Sequence, residues 1–220
     1  MKRFSLRYSL LTYRLDQLWF PLAFWVLFVI IGIIRGPEYI LDTTRAYLGT
    51  VIPLIGGILA AYAILDDPAL ELRFATPISA AQTLFERLGL LFVIQLLCAL
   101  SFQVFALTMR ADFSMFGSWA GLQLTWLVPT LSLMAVGALG SLSFTQSMAG
   151  ALLTGLVWLV QIIARGWFAG QKVGQYFLVF MGALMTDHPA LRANQLALCL
   201  SAIAFFILSW LLFRRQERYI

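Results

Sequence analysis

Six charged side chains lie close together in one internal segment, residues 66–87, which we call the island. Its sequence, DDPALELRFATPISAAQTLFER, lies between two long apolar runs, whereas residues 113–164 carry no charge. Carboxylate and guanidinium groups on such a segment are suited to recognising a complementary charged protein surface. The island is therefore the first candidate for a docking function. Its charged residues are Asp66, Asp67, Glu71, Arg73, Glu86 and Arg87.

The island has the start and stop signals of two helices. Asp67 can cap a short helix whose first position is taken by Pro68, and Glu71 then lies where the helix dipole favours a negative charge. Pro77 ends this helix, because the residue before a proline avoids the helical region. Ser-Ala-Ala-Gln at 79–82 is a capping box, which predicts a second helix that continues into the next apolar run.

Residues outside the island offer weaker candidates for chemistry. His188 is the only histidine, and with Asp187 it could form a proton or metal site. Two side chains fall short of a zinc site's three or four ligands, so a hydrated turn is the favoured interpretation. An intramembrane protease would need Ser and His within apolar runs, or a His-Glu-x-x-His helix. Neither pattern is present, which argues against an enzyme.

Neutral amides lie inside the apolar runs, where polar groups join helices or line a pathway. They are Gln95, Gln103, Gln123 and Gln161. With no carboxylate among them, they argue against a proton- or ion-coupled carrier. Helix packing is the favoured role, and Gln95, Gln103 and Gln123 are the candidates for a substrate path.

The composition is that of a membrane protein. Hydrophobic residues make up 61% of the 220 residues and charged residues 11%, and the mean hydropathy is +0.88. A soluble domain carries about 25% charged residues. The apolar runs are long and do not alternate, so the sequence predicts membrane-spanning helices rather than barrel strands. Cys98 and Cys199 both fall inside these runs and are interpreted as packing residues rather than a disulfide or metal pair.

We predict an all-α polytopic membrane protein, with one domain (1–220) and six spans. An amphipathic helix over residues 4–17 is expected to lie in the membrane interface. The apolar patch 176–185 is too short to cross and predicts a re-entrant or interfacial segment before the last span, with a seventh span as the competing interpretation. The predicted spans are 18–34, 47–65, 88–109, 119–139, 148–164 and 195–213.

The basic residues indicate the orientation. They cluster before the first span and after the last, so the positive-inside tendency places both termini and the island in the cytoplasm. Membrane anchoring explains these charges better than nucleic-acid binding, because no basic patch with interleaved aromatic residues lies outside the spans. We expect a multi-pass protein of the cell inner (plasma) membrane.

The island carries a pattern that resembles the ABC-2-type permease family. Six spans, an interfacial N-terminal helix, a re-entrant segment before the last span and a short basic tail extend the resemblance to nearly the whole chain. One departure is that Pro68 and Ala69 stand where the family often has glycine. The residues of the pattern are Glu71, Leu72, Thr76, Pro77, Ile78 and Ser79.

The resemblance implies the membrane subunit of an ATP-driven exporter, paired with a second copy or a homologue. The island would be the coupling helix that fits a cleft on a separate ABC ATPase. No Gly-Lys dipeptide occurs in the chain, so it has no phosphate-binding P-loop, and ATP and Mg would belong to the partner. A haem-exporter-type permease for cytochrome assembly and a non-transporting scaffold are the alternatives. The implied coupling residues are Asp66, Asp67, Glu71, Arg73, Phe74, Thr76 and Pro77.

The predicted topology can be tested with single cysteines in a background that lacks Cys98 and Cys199. We expect a membrane-impermeant thiol reagent to label Asp112→Cys and His188→Cys in intact cells, and to leave Ser5→Cys and Ser79→Cys unlabelled until the cells are opened. Strong labelling of Ser79→Cys in sealed cells would place the island outside and contradict the coupling role.

Overall fold

Every regular element of the computed structural model is helical in the part it describes, residues 16–66 and 80–214. Short 3-10 turns at Pro37–Tyr39, Ser114–Phe116 and Gly174–Phe177 and a π-turn at Tyr47–Val51 connect the helices. The α-helices are α1 (Asp16–Arg35), α2 (Ile40–Ala46), α3 (Ile52–Leu65), α4 (Ala80–Thr108), α5 (Trp119–Phe144), α6 (Ser147–Ile163), α7 (Arg165–Gly170), α8 (Met181–Leu184) and α9 (Leu191–Phe213).

Five helical segments are long and apolar enough to cross a membrane: Leu18–Arg35, Pro37–Leu65, Ala81–Thr108, Trp119–Phe144 and Leu191–Phe213. They correspond to five of the six predicted spans. The remaining predicted span, 148–164, is the apolar helix α6, which has 17 residues. It is the shortest of the six, so the six-span topology stays a prediction.

Two predicted special helices fall largely outside the described residues. Residues 4–15 of the predicted interfacial helix are not described, and the two last residues of that prediction already belong to α1. Residues 67–79 of the island are likewise outside. The second island helix is described from Ala80, and it continues without interruption to Thr108, as the capping box predicted. The span predicted from residue 88 lies in this helix, which begins eight residues earlier, at Ala80, in the described part of the chain.

The second span starts earlier than predicted. Helical structure begins at Pro37 rather than at residue 47, because Gly36, with φ +80°, ends α1 and Pro37 opens the next turn. The helix then widens into the π-turn just before Pro53. A proline clashes with the carbonyl four residues before it and donates no hydrogen bond, which favours such a widened turn.

The centre of the bundle is built on backbone contacts at glycine. α3 packs against α5 and α6, and α9 packs along α5. A methyl group added to Gly137 would lie 2.0 Å from the carbonyl oxygen of Gly57, and one added to Gly150 would lie 2.5 Å from the nitrogen of Ser141. Helices therefore approach closely at Gly57 and Gly137, as in membrane bundles whose helices meet at small residues.

The bundle has two distinct ends. At one end, which we call the Asp66 end, the end of α3 meets the starts of α4 and α6 and the ends of α5 and α9. At the other, the Arg45 end, Tyr47 stacks on Phe102 with ring centroids 4.4 Å apart, and Phe28 lies 5.2 Å from Tyr47. Successive long helices thus run in alternating directions.

No long helix forms between α6 and α9. Residues 165–190 make α7, a 3-10 turn and α8, none longer than six residues, with extended backbone at Leu178. Leu178, Phe180 and Met181 are nevertheless buried. The competing seventh span is therefore not formed, and the segment folds back into the protein.

The glycine contacts predict a specific loss of stability. We expect Gly137→Ala to destabilise the fold by about 1–3 kcal/mol, since the new methyl group must push two backbones apart. Gly155→Ala is the matched control, because no atom lies within 4 Å of a methyl group there. Thermal unfolding in detergent, followed with a thiol-reactive dye at the buried Cys98, measures both. Equal melting temperatures for the two variants would contradict the packing described here.

Candidate functional site at the Asp66 end

The Asp66 end is the part of the structure to which the island is attached. Its apolar base is a continuous cluster contributed by four helices, with Ile64, Leu84, Leu142 and Phe213 all fully buried. The helices that lead into the island and out of it therefore share one core. The end of α3 and the start of α4 therefore both pack, through this core, against α5 and α9.

Asp66 is placed by the end of α3 and joins that helix to α6. It is the C-cap of α3, and its N–H donates to the carbonyl oxygen of Tyr62. The hydroxyl of Ser147 donates to Oδ1 of its carboxylate. Ser147 is the first residue of α6 and is 7% exposed. A charge-assisted hydrogen bond at this position links the first residue of the island to the start of another helix.

A tight turn fixes Ser147 in that position. α5 ends at Phe144, and its C-cap Thr145 adopts the left-handed conformation with φ 55°. The N–H of Gln146 donates to the carbonyl oxygen of Ser141. This pattern terminates α5 and starts α6 two residues after Thr145. The α5–α6 hairpin is thus rigidly connected at the end that faces the island.

The second half of the island is partly buried. Arg87 is only 3% exposed. On the preceding turn the amide nitrogen of Gln82 donates a hydrogen bond to Oε1 of Glu86 over 2.9 Å. Arginine is almost never fully buried unless it is paired. Arg87 is consequently a structural residue of the bundle end, and not a charge presented to a partner as the island sequence had suggested.

The remaining predicted coupling residues lie outside the described part of the chain. Of the set inferred from the sequence, the structure gives the position of Asp66 alone. The roles of the others stay predictions. They are Asp67, Glu71, Arg73, Phe74, Thr76 and Pro77.

Two of the three candidates for a substrate path hydrogen-bond to each other. Gln123 Nε2 donates to Gln103 Oε1 over 2.7 Å, and Gln103 Nε2 donates back over 3.3 Å. The indole of Trp126 adds a third hydrogen bond to Gln123 Oε1 at 2.8 Å. This network joins α4 to α5 and satisfies the amides internally, which agrees with the packing role.

Gln95 is different. Its side chain is fully buried, and neither Nε2 nor Oε1 has a hydrogen-bond partner among the described residues. It lies one turn after Leu91 and one turn before Ala99, which belong to two different core clusters. A buried amide without hydrogen-bond partners lowers the stability of the fold. Gln95 therefore does not serve the packing role that the other two amides serve.

Two amides hold the folded-back segment in place. Gln161 donates to the carbonyl oxygen of Phe177 and accepts from the N–H of Val179, so it pairs with the extended backbone as a strand would. Asn194 Nδ2 donates to the carbonyl oxygens of Gln175 and Leu178.

Sequence reasoning overlooked Asn194 and Arg45, whose Nε donates to the carbonyl oxygen of Ala183 over 2.9 Å. Arg45 had been assigned to an outer loop, whereas it lies on α2 and is half-buried.

A groove of about 530 Å³ lies between α5, α6 and α9. Its walls are almost entirely apolar, and the Gln161 amide at one end is already bonded to Phe177 and Val179. The groove is suited to hydrocarbon rather than to a polar solute.

The weaker candidates do not assemble into a metal or redox site. His188 Nδ1 accepts from the N–H of Ala190, a contact within one turn. Cys98 and Cys199 are both free thiols. No group of three metal-binding side chains occurs within residues 16–66 and 80–214.

No family model, curated protein or solved structure matches this chain.

The Gln103–Gln123 pair predicts a measurable coupling energy. We expect Gln103→Leu and Gln123→Leu each to lower the free energy of unfolding, because each removes the hydrogen bonds that join α4 to α5. The double variant should cost less than the sum of the two, with a coupling of about 0.6–1.7 kcal/mol, the range for interhelical hydrogen bonds in membrane proteins. Unfolding in mixed micelles measures all three variants. Strict additivity would show that the pair does not join α4 to α5.

Proposed function

We propose that this chain is the membrane-spanning subunit of an ATP-driven ABC exporter, which couples ATP hydrolysis by a separate ATPase subunit to substrate export. The observation that carries the proposal is the mechanical continuity at the Asp66 end. One side of the island begins at Asp66, which is hydrogen-bonded to the start of α6. The other side continues as the single 29-residue helix α4.

This arrangement suits a coupling element. A helix of 29 residues is about 43 Å long, whereas the hydrocarbon core of a bilayer is about 30 Å thick. α4 therefore extends beyond the membrane at one or both ends. Its first turns, which adjoin the island, can act as a rigid lever on which a soluble partner pushes.

The mechanism that follows is alternating access. ATP closes two ATPase subunits against each other, and the island of each permease moves with its ATPase. The movement reaches α4 directly and reaches α6 through Asp66 and Ser147, so the spans shift between inward-facing and outward-facing arrangements. The permease binds no nucleotide, and ATP and Mg lie on the partner.

The proposal includes a cellular arrangement. The chain would lie in the cell inner (plasma) membrane with both termini in the cytoplasm, and it would pair with a second copy or a homologue. The sequence pattern from Glu71 to Ser79 supports this arrangement by resemblance to ABC-2-type permeases.

The test is to weaken the island and follow its partner. We expect Phe74→Ala to reduce co-purification of the ATPase and substrate-stimulated ATP turnover in liposomes most strongly, because a buried aromatic anchor contributes about 2 kcal/mol or more. Arg73→Ala should have the smallest effect, about 1 kcal/mol or less for a hydrated rim charge. Glu71→Ala should fall between them, since it also loses a favourable charge near a helix start.

Phe177→Ala is the matched control, since it removes an exposed phenylalanine at the far end of the bundle. A second control is the permease purified alone, which should not hydrolyse ATP. Full partner retention and full stimulated turnover in all three island variants would refute the coupling role.

A further inference from the structure

An apolar groove runs along the outside of the bundle, between the first turns of α4 and the last turns of α9. Its volume is about 400 Å³, and no polar side chain lines it. Phe85 on α4 is 70% exposed and Ile203 on α9 is 56% exposed, so the two helices supply opposite walls. The lining residues are Ala81, Phe85, Ile203, Phe206, Ile207 and Trp210.

A cation lies at one end of this groove. Arg214 follows Trp210 by one helical turn, and its guanidinium carbon is 5.4 Å from the centroid of the Trp210 ring. Arg214 is exposed. A guanidinium over an aromatic ring still has N–H groups that can bind an anion. The groove thus combines an apolar wall with a fixed positive charge.

The dimensions fit one hydrocarbon chain. From Ile203 to Trp210 the groove follows two turns of α9, which is about 10 Å along the helix axis. Trp210 is half-buried and stands between the apolar wall and Arg214, the place that indole prefers at a membrane–water interface. The apolar part is therefore at the depth of acyl chains, and the charge is at the depth of headgroups.

We propose that this groove binds an anionic phospholipid, with an acyl chain against Phe85, Phe206 and Trp210 and the phosphate on Arg214. The charge decides between the possible occupants. An apolar helix from another protein would cover the groove but would itself supply no negative charge to the exposed guanidinium. An anionic lipid satisfies both parts, and the bilayer supplies it at high concentration.

Binding there would add to the limited direct packing between α4 and α9. Ala81 and Phe85 are on the first turns of α4, which follow the island directly, and Trp210 is on the last turns of α9. A lipid in the groove would therefore hold α4 against α9 at the Asp66 end. Within residues 16–66 and 80–214 the groove is lined by these two helices alone, and the lipid proposal does not require that the chain takes part in transport.

The charge is tested with the full chain and two lipids that have identical acyl chains, phosphatidylglycerol and phosphatidylcholine. Native mass spectrometry of the protein released from mixed nanodiscs reports which lipid is retained. We expect the wild type to retain phosphatidylglycerol preferentially, and Arg214→Gln to lower that preference about fivefold, the effect of about 1 kcal/mol per basic residue near an anionic surface. Arg214→Lys should keep the preference, because the charge remains.

Arg192→Gln is the matched control for charge, since Arg192 is an exposed arginine at the other end of the same helix. It should leave the lipid preference unchanged. Equal retention of the two lipids by the wild type, or a preference that survives Arg214→Gln, would overturn the proposal.

The apolar half is tested by filling the groove. Ile203→Trp should reduce phosphatidylglycerol retention, whereas Leu196→Trp, an equally exposed position outside the groove, should not. Short-chain phosphatidylglycerol should be retained less than the long-chain lipid by the wild type. Retention that is independent of chain length, or displacement of the lipid by inorganic phosphate alone, would assign Arg214 to a free anion and refute the lipid site.

Discussion

The close approach of three backbones at Gly57, Gly137 and Gly150 is the constraint on which the rest of the bundle depends. Within lipid there is no hydrophobic driving force between helices, so stability comes from packing and from hydrogen bonds. At these glycines the helix surfaces are smooth enough for α3, α5 and α6 to touch directly. α9 then packs along α5 and α4 along α3, so the positions of both grooves and of the Asp66 end follow from this central contact.

Polar side chains serve a second structural purpose, because they satisfy backbone groups that the helices leave open. The π-turn and the segment 175–183 interrupt regular hydrogen bonding, and such irregular backbone is tolerated at membrane depth only where protein covers it. Trp158 donates to the carbonyl oxygen of Thr50, and Gln161, Asn194 and Arg45 bond the folded-back segment. The intramembrane polar residues of this chain are thus mainly supports for broken helices.

The helices could be predicted from the sequence because long apolar runs allow little else in a membrane. Their boundaries were less predictable, since a boundary depends on turns that hydropathy does not register. The predicted second span starts at residue 47, ten residues after the helical structure begins at Pro37, which follows the chain turn at Gly36. The contacts between polar residues could not be predicted either. Gln103 and Gln123 are 20 residues apart in the sequence and form a pair because α4 and α5 lie antiparallel.

The island motif indicated a docking element, but the burial of Arg87 depends on how the helices meet at the Asp66 end.

The π-turn before Pro53 has a consequence for how the second span accommodates changes in length. A π-turn contains one residue more than an α-helical turn, so it acts as an insertion held within a continuous helix. Each residue in an α-helix contributes about 100° of rotation. Removing one residue from this turn would therefore keep the span helical but rotate α2 relative to α3 by that angle. The hydrogen bond from Arg45 to the carbonyl oxygen of Ala183 would then be lost. The span would stay helical, but the folded-back segment would lose one of the contacts that hold it.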